Sequence, residues 1–277
     1  MTKKLWEASS SQKKNSKLFS FEQFISKKTK LKFKENYEKI LDWSIKDSSK
    51  FWSLFWDFTK IKGIKGHRKI KKSKIFHKNL FLPGSKLNFG ENLLPKNNLD
   101  KAITFISENG FREQKSWKQL NLSTSKIIRF LKKINIKKGD RVVAYMPNTI
   151  QTVEAFIASS SIGSIWSSCS PDFGVRGVVE RFSQINPKVL FVTDQYFYNG
   201  KKINILERLP EILKHIPSIK NVVVVSYPGK RLIKNNKKLK KIKIFKWNEL
   251  MQISPEEIIF KKFDFENELA ILYSSGT

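Results

Sequence analysis

The chain has 277 residues, with 54 lysines and arginines against 24 aspartates and glutamates, and it contains one cysteine. Cys169 has no partner in the chain, which excludes a disulfide scaffold and is typical of a reducing compartment. Residues 1–20 lack the apolar core of a secretory signal, and no run approaches the roughly 18 apolar residues of a membrane span. We expect a cytoplasmic protein without stable membrane insertion.

The formal net charge of +30 suggests nucleic-acid binding, because basic side chains neutralise phosphates. Most of the excess lies in two stretches: residues 1–80 hold 22 basic and 7 acidic side chains, and residues 201–247 hold 14 and 2. Lysines number 46 and arginines only eight, whereas specific phosphate and base recognition favours arginine. We interpret the excess as genome composition and expect no nucleic-acid partner. A basic nucleic-acid-binding protein remains the alternative from another class.

Residues 1–80 indicate a helical and irregular region. Trp52, Phe55 and Trp56 recur at helical spacing, which predicts a helix over 51–58 packed into a core. Two basic stretches, 59–80 and 228–246, are predicted to be loops or exposed hairpins. We interpret the three histidines as surface residues: His67, His77 and His215.

From residue 99 onward the pattern alternates between helix and strand. Short β-branched or apolar runs separated by helices of about ten residues or more favour a mostly parallel sheet covered on both faces. The predicted fold class is therefore α/β. The predicted strands are 141–146, 165–168, 189–192 and 221–226, and the predicted helices are 117–134, 149–162, 178–185 and 205–215.

The chain ends with an apolar strand, 268–273, that runs into four small polar residues. Small residues after a strand let backbone N–H groups point at an anion, and hydroxyls add donors or reach a metal ion. Such residues also fill ordinary turns. The candidate phosphate-binding residues are Ser274, Ser275, Gly276 and Thr277.

These four residues match the start of the Ser-Ser-Gly-Thr-Thr-Gly-x-Pro-Lys loop of the adenylate-forming acyl-CoA synthetases. Four other segments also resemble this superfamily and its acetyl-CoA and acetoacetyl-CoA synthetase branch: 51–58, 82–94, 137–148 and 165–174. The last is similar to the acetoacetyl-CoA synthetase version of its segment. The resemblance implies an acetyl-CoA-synthetase-type N-terminal region over 1–96. It also implies the start of an AMP-binding domain over 97–277, cut off at the phosphate loop.

The resemblance implies an AMP-forming acetoacetate–CoA ligase of ketone body metabolism. Its substrates and cofactors would be acetoacetate, ATP, Mg²⁺ and coenzyme A. The phosphate loop is its ATP-binding element, and Thr277 is the candidate Mg²⁺ contact. The catalytic lysine region of the family has no counterpart here, so we expect no catalytic residue in this chain and no activity from it alone.

The acetyl-CoA branch also meets the phosphates of coenzyme A with basic residues that follow a strand and an Asp. Gly200, Lys201 and Lys202 stand at the corresponding positions, although Tyr198 replaces the other basic residue of the pattern. Two further surface lysines are the alternative interpretation. A short-chain ligase for acetate or propionate is the second enzymatic hypothesis. A degenerate, nonfunctional gene product is a further alternative.

Segment 165–174 contains further polar candidates. Asp172 is either a ligand-binding residue or the cap of a helix that begins near Val175, and we favour the cap. Trp166 is predicted to be a core residue. Arg176 and Arg181 are expected to form exposed pairs with Glu180 or its neighbours, which gives them little weight as site residues.

Overall fold

The computed structural model describes residues 5–230 and 242–274. Within it the chain forms two compact units, with the boundary between Leu87 and Asn88. The division at residue 96, drawn from the resemblance, stays a prediction. No helix in the described part of the chain is long and apolar enough to cross a membrane.

The first unit consists of short helices whose first turns are capped by side chains. Ser9, Ser16, Asn36 and Asp47 each accept a backbone N–H from the helix that follows. The elements are α1 (Ser10–Lys14), α2 (Lys17–Thr29), α3 (Tyr37–Lys46), α4 (Ser48–Thr59) and the antiparallel pair β1 (Gly63–Ile64) and β2 (Lys86–Leu87).

Helix α4 confirms the helix predicted over 51–58, in which Trp56 is buried and Phe55 packs in the core as expected. Phe51, Phe55 and Phe58 surround the ring of Phe21, with centroid distances of 4.9 to 5.7 Å. Trp52 remains 41% exposed, so its prediction as a packed core residue was wrong. The periodicity identified the helix, while the position of α2 decided which face it buries.

The second unit is built on a five-stranded sheet of β5 (Arg141–Tyr145), β6 (Ile165–Cys169), β7 (Val189–Thr193), β10 (Asn221–Val225) and β11 (Lys243–Lys246). The strands lie in the order β11-β10-β7-β5-β6, and every neighbouring pair is parallel. Two antiparallel hairpins accompany it: β3 (Lys101–Ile106) with β4 (Arg112–Ser116), and β8 (Gln195–Tyr198) with β9 (Lys201–Asn204). A short strand, β12, covers Phe263–Asp264.

Helices cover both faces of this sheet, as predicted. Alternate side chains of each strand enter opposite cores: Val143 and Tyr145 join one cluster, and Val142 and Ala144 join the other. The first core includes residues of α8 (Val175–Phe182) and α9 (Leu209–His215), and the second includes residues of α6 (Trp117–Lys133), α7 (Ile150–Ser161) and α10 (Trp247–Met251). The remaining helix of this unit, α5, spans Phe89–Leu93. The α/β fold class is confirmed.

Helix α5 contains Gly90 and approaches α7 closely. A Cβ atom on Gly90 would lie 2.2 Å from the Ser161 hydroxyl oxygen and 2.9 Å from the Ile157 carbonyl oxygen. A side chain at position 90 therefore forces the two helices apart. This close approach gives part of the 82–94 segment a packing role.

The predicted central strands and helices are confirmed within a few residues. The loop predicted over 228–246 was wrong at its end, because β11 pairs with β10 as the edge strand of the main sheet. Residues 231–241 of that stretch lie outside the described residues.

All three histidines are exposed, as predicted. Trp166 is 6% exposed and packs in the second core, which confirms its interpretation as a core residue.

Candidate functional site

The carboxyl ends of β5, β6 and β7 lie together at one end of the main sheet, because these strands are parallel. We call this end of the sheet its carboxyl edge. In open parallel sheets, ligands bind outside this edge, where the loops that leave the strands meet. Here the relevant loop is 170–174, which leaves β6 and leads into α8. This edge is the candidate functional site.

The last described residues extend the sheet beyond β6. The Trp166 N–H donates to the Leu269 carbonyl at 3.0 Å, and the Ile271 N–H donates to the Trp166 carbonyl at 2.8 Å. Ala270 pairs with Trp166 in an isolated parallel bridge, so the strand predicted over 268–273 is reduced to this single pair. After the bridge the chain runs toward the carboxyl side of the sheet, where Ser274 is exposed. The other candidate phosphate-loop residues, Ser275, Gly276 and Thr277, lie outside the described residues.

Asp172 lies in loop 170–174 and is anchored by side chains. Its carboxylate accepts hydrogen bonds from the Tyr196 hydroxyl at 2.8 Å and the Ser170 hydroxyl at 2.6 Å. Helix α8 instead begins after Gly174, without a side-chain cap, so the predicted capping role of Asp172 was wrong. Burial, together with the bond to Asp172, raises the pKa of Tyr196 to about 12, so this phenol remains a donor at neutral pH.

The carbonyl groups of the same loop are bound by Tyr145 and Arg208. The Tyr145 hydroxyl donates to the Phe173 carbonyl at 2.5 Å. An Arg208 guanidinium nitrogen lies 2.7 Å from the Tyr145 hydroxyl oxygen and 3.1 Å from the carbonyl oxygens of Pro171 and Phe173. Burial raises the pKa of Tyr145, and Arg208 opposes that shift. Residues at the end of β5 and the start of α9 thus anchor the loop.

Arg181 does not form the exposed pair that the sequence suggested. Arg176 pairs with Glu180 at 2.6 Å, whereas the Arg181 guanidinium lies over the ring of Phe173, 4.2 Å from its centroid. Arg181 therefore belongs to the candidate site. The sequence analysis expected an acidic partner and missed this contact with a ring.

The residues proposed for coenzyme A lie on the β8–β9 hairpin, which begins at the same edge of the sheet. Asn199 and Gly200 form its turn with φ values of 50° and 70°. Their N–H groups both donate to the Glu108 carboxylate at 3.0 Å. Lys201 and Lys202 are exposed on the next strand. The lysine side chains can reach an anion from solution, while the turn N–H groups already bind a carboxylate.

The described residues do not provide a magnesium site. No group of three or more His, Cys, Asp or Glu side chains among them could hold a metal ion. The carboxylate of Asp194, at the end of β7, accepts the Tyr227 N–H at 2.8 Å, and Asp172 is bound as described. Both carboxylates of this edge therefore have structural roles.

A groove of about 560 Å³ lies at the opposite edge, beside the amino ends of β10 and β11. Its floor contains Phe130 and Phe245, and Lys133, Lys220 and Lys243 line its rim. These lysines are exposed, and Lys133 is the last residue of α6, where a basic side chain complements the helix dipole. The groove lies at the amino ends of the strands, whereas open parallel sheets bind ligands at the carboxyl ends.

Comparisons with known proteins identify the family of this chain. Residues 96–277 match the model of the AMP-binding enzyme family. The chain is 35% identical to the acetoacetyl-CoA synthetase of Macaca fascicularis, covering 99% of this chain and 41% of that protein. It is 34% identical to the acetoacetyl-coenzyme A synthetase of Rhizobium meliloti (strain 1021), covering 87% and 37%. It is 31% identical to a malonamoyl-CoA synthetase of Penicillium aethiopicum, covering 99% and 39%.

The fold has a close match among solved structures. The acetoacetyl-CoA synthetase from Streptomyces lividans superimposes with a TM-score of 0.87 at 24% identity, over 99% of this chain and 42% of that one. The chain thus spans about two fifths of the length of these relatives. The family match covers more than half of the chain and includes the whole parallel sheet. The chain belongs to the family of AMP-binding enzymes.

Proposed function

We propose that this chain forms the N-terminal part of an AMP-forming acetoacetate–CoA ligase. The observation that carries the proposal is the path of residues 269–274, which extends the parallel sheet and brings Ser274 to its carboxyl side. The similarity to acetoacetyl-CoA synthetases of animal and bacterial origin supports the reaction class. The part of the reaction that these residues serve is the binding of the ATP polyphosphate.

The proposed reaction has two steps. A carboxylate oxygen of acetoacetate attacks the α-phosphorus of ATP, and the bond to pyrophosphate breaks to give an acyl-adenylate. The coenzyme A sulfur then attacks the acyl carbon, AMP leaves, and the thiol proton passes to solvent. Both steps concentrate negative charge, so donors fixed around the phosphates lower the barrier. The acyl-adenylate also requires protection from water.

Four residues of this chain are assigned to the polyphosphate. Their N–H groups and hydroxyls would donate to phosphate oxygens, and Thr277 would contact Mg²⁺, the ion that accompanies the nucleotide. The residues are Ser274, Ser275, Gly276 and Thr277. The described residues supply no ligand set for Mg²⁺.

Gly200, Lys201 and Lys202 are assigned to the coenzyme A site, with the two lysines on its phosphates and Gly200 in the turn that precedes them, where its N–H binds Glu108. The exposure of the two lysines and the origin of their hairpin at the carboxyl edge support the assignment. We also propose a cytoplasmic location, for which the single buried and unpaired cysteine is the support.

We propose acetoacetate as the substrate, rather than acetate or propionate, because of its chemical structure. The relatives are named for acetoacetyl and malonamoyl groups, and both groups carry a second carbonyl at the β position. The proposed substrate class is therefore short carboxylates with a β-carbonyl. Acetate and propionate lack that group.

ATP–pyrophosphate exchange by the full-length gene product tests this function. We expect exchange with acetoacetate, weaker exchange with malonamate, and exchange with acetate or propionate that is lower by at least tenfold. Exchange that is fastest with acetate would replace the proposal with the second enzymatic hypothesis. The 277-residue chain is expected to show background exchange only, and turnover by this chain would contradict the proposed assignment of catalysis to residues outside it.

A further inference from the structure

Arg181 has a cationic side chain whose contacts are aromatic. Its guanidinium carbon lies 4.2 Å from the ring centroid of Phe173 and 5.9 Å from that of Tyr273. One guanidinium nitrogen donates to the Gly177 carbonyl oxygen at 2.9 Å. Within the described ranges no carboxylate forms an ion pair with Arg181. The charge is therefore directed at the two rings, a geometry that attracts a cation to a π face.

The backbone of Arg181 binds Tyr273 as well. The Tyr273 hydroxyl donates to the Arg181 carbonyl oxygen at 2.6 Å. Tyr273 directly precedes Ser274, the first residue assigned to the phosphate loop. One arginine thus contacts both the ring and the hydroxyl of the residue from which that loop begins.

Helix α8 leaves space for this arrangement at Gly177. A Cβ atom on Gly177 would lie 3.1 Å from the Phe173 ring and 3.5 Å from the Arg181 guanidinium. A larger residue there would press on both partners. The stack is therefore built into α8 as well as into loop 170–174.

We infer that Arg181 is a positioning residue for the nucleotide site. It fixes Tyr273 against α8, and Tyr273 fixes the start of the phosphate loop. This inference rests on the proposed function, since it assigns Tyr273 a role at the start of the phosphate loop. Donors that are held in place before the nucleotide binds need no reorganisation during the reaction, which is how such groups stabilise developing charge.

Hydrogen exchange in the 277-residue chain tests the contact itself. We expect R181Q to speed exchange in peptides spanning 266–274 by roughly tenfold, because it removes the cation from both rings. R181K keeps the charge without the planar stack and should give an intermediate rate. Exchange in β5 should stay unchanged, which shows that the sheet remains folded.

Arg176 provides the matched control on the same helix. Its side chain is 92% exposed and contacts Glu180, so R176Q should leave exchange over 266–274 within twofold of the wild-type rate. Equal rates in R181Q and R176Q would overturn the inference. Y273F keeps the ring but loses the hydroxyl, and it should also speed exchange in this segment. The Y273F variant tests the contact even if R181Q does not fold. An unchanged exchange rate in Y273F would overturn the role of the hydrogen bond from the Tyr273 hydroxyl to the Arg181 carbonyl.

Steady-state kinetics of the full-length gene product test the positioning role. R181Q should raise the KM for ATP by roughly tenfold while the KM for acetoacetate stays within twofold, and R181K should recover part of the loss. Equal increases in both KM values would indicate a general structural role and overturn the inference. If hydrogen exchange is faster in R181Q but the wild-type enzyme has no ATP-dependent activity, the contact is supported and the proposed function is refuted.

Discussion

The ammonium nitrogen of Lys115 on β4 lies 2.7 Å from a carboxylate oxygen of Glu154 on α7, whose side chain is fully buried. The Ser123 hydroxyl on α6 donates to the same oxygen. The other Glu154 carboxylate oxygen has no hydrogen-bond partner among the described residues. Burial raises the pKa of Glu154, and Lys115 and Ser123 oppose that shift. The pair attaches the β3–β4 hairpin to the helices that cover the sheet.

Lys115→Met should destabilise the protein because it leaves a buried carboxylate without its cation. We expect a loss of about 3 kcal/mol in the free energy of unfolding at pH 7. A carboxyl whose pKa is raised by folding is penalised when ionised, and the penalty fades as the pH falls through its folded-state pKa. The loss should therefore shrink between pH 7 and pH 5. Urea unfolding monitored by tryptophan fluorescence measures it.

Two variants control this experiment. Lys118 lies on the exposed side of α6, so Lys118→Met should change stability by less than about 0.5 kcal/mol. The double variant that combines Lys115→Met with Glu154→Gln should regain most of the lost stability, because the uncompensated charge is gone. A loss in Lys115→Met that is the same at both pH values would contradict the explanation.

A charged side chain at position 88 should destabilise the protein. Its side-chain amide donates to the carbonyl oxygens of Ser161 at 2.8 Å and Lys261 at 2.9 Å, and its side-chain oxygen accepts the Glu91 N–H. Asn88→Asp places a carboxylate against two carbonyls, so we expect a loss of about 3 kcal/mol, measured by thermal unfolding. Asn97→Asp, at an exposed position, is the control. Equal melting temperatures would show that the amide contacts carry no stability.

The thiol of Cys169 should be unreactive in the folded protein. It is 3% exposed, and burial raises its pKa to about 11. At pH 8 about one thiol in a thousand is then ionised, and the thiolate is the reactive form. Labelling by a chromogenic disulfide should be slow in buffer and complete within seconds in denaturant. Rapid stoichiometric labelling without denaturant would contradict the buried position.

Arg208→Met should loosen loop 170–174. The variant removes the donor to two loop carbonyls and to the Tyr145 hydroxyl, so we expect a loss of about 2 kcal/mol. Tyr145→Phe removes one hydroxyl and should cost about 1 kcal/mol. Guanidinium unfolding measures both variants, with Arg176→Met as the exposed control. If Arg208→Met loses less free energy of unfolding than Tyr145→Phe, Arg208 is not the stronger of the two anchors of the loop.

The sequence by itself determined the alternation of strands and helices, because a two-residue period and a 3.6-residue period are local properties of the chain. It also contained the motifs that identify the family and the run of small polar residues that begins at Ser274. These features depend on residues that are close together along the chain. The helices and central strands could therefore be predicted within a few residues.

Tertiary structure decided the contacts of the polar side chains. Asp172 could cap α8 as judged from the sequence, yet Tyr196, 24 residues away, binds its carboxylate instead. Arg181 had a neighbouring acid available in Glu180, yet packing directs it to Phe173 and to Tyr273, 92 residues away. β11 escaped prediction because its pairing with β10 outweighs a lysine-rich local sequence. Long-range partners fix these roles, and only the folded chain brings them within hydrogen-bonding distance.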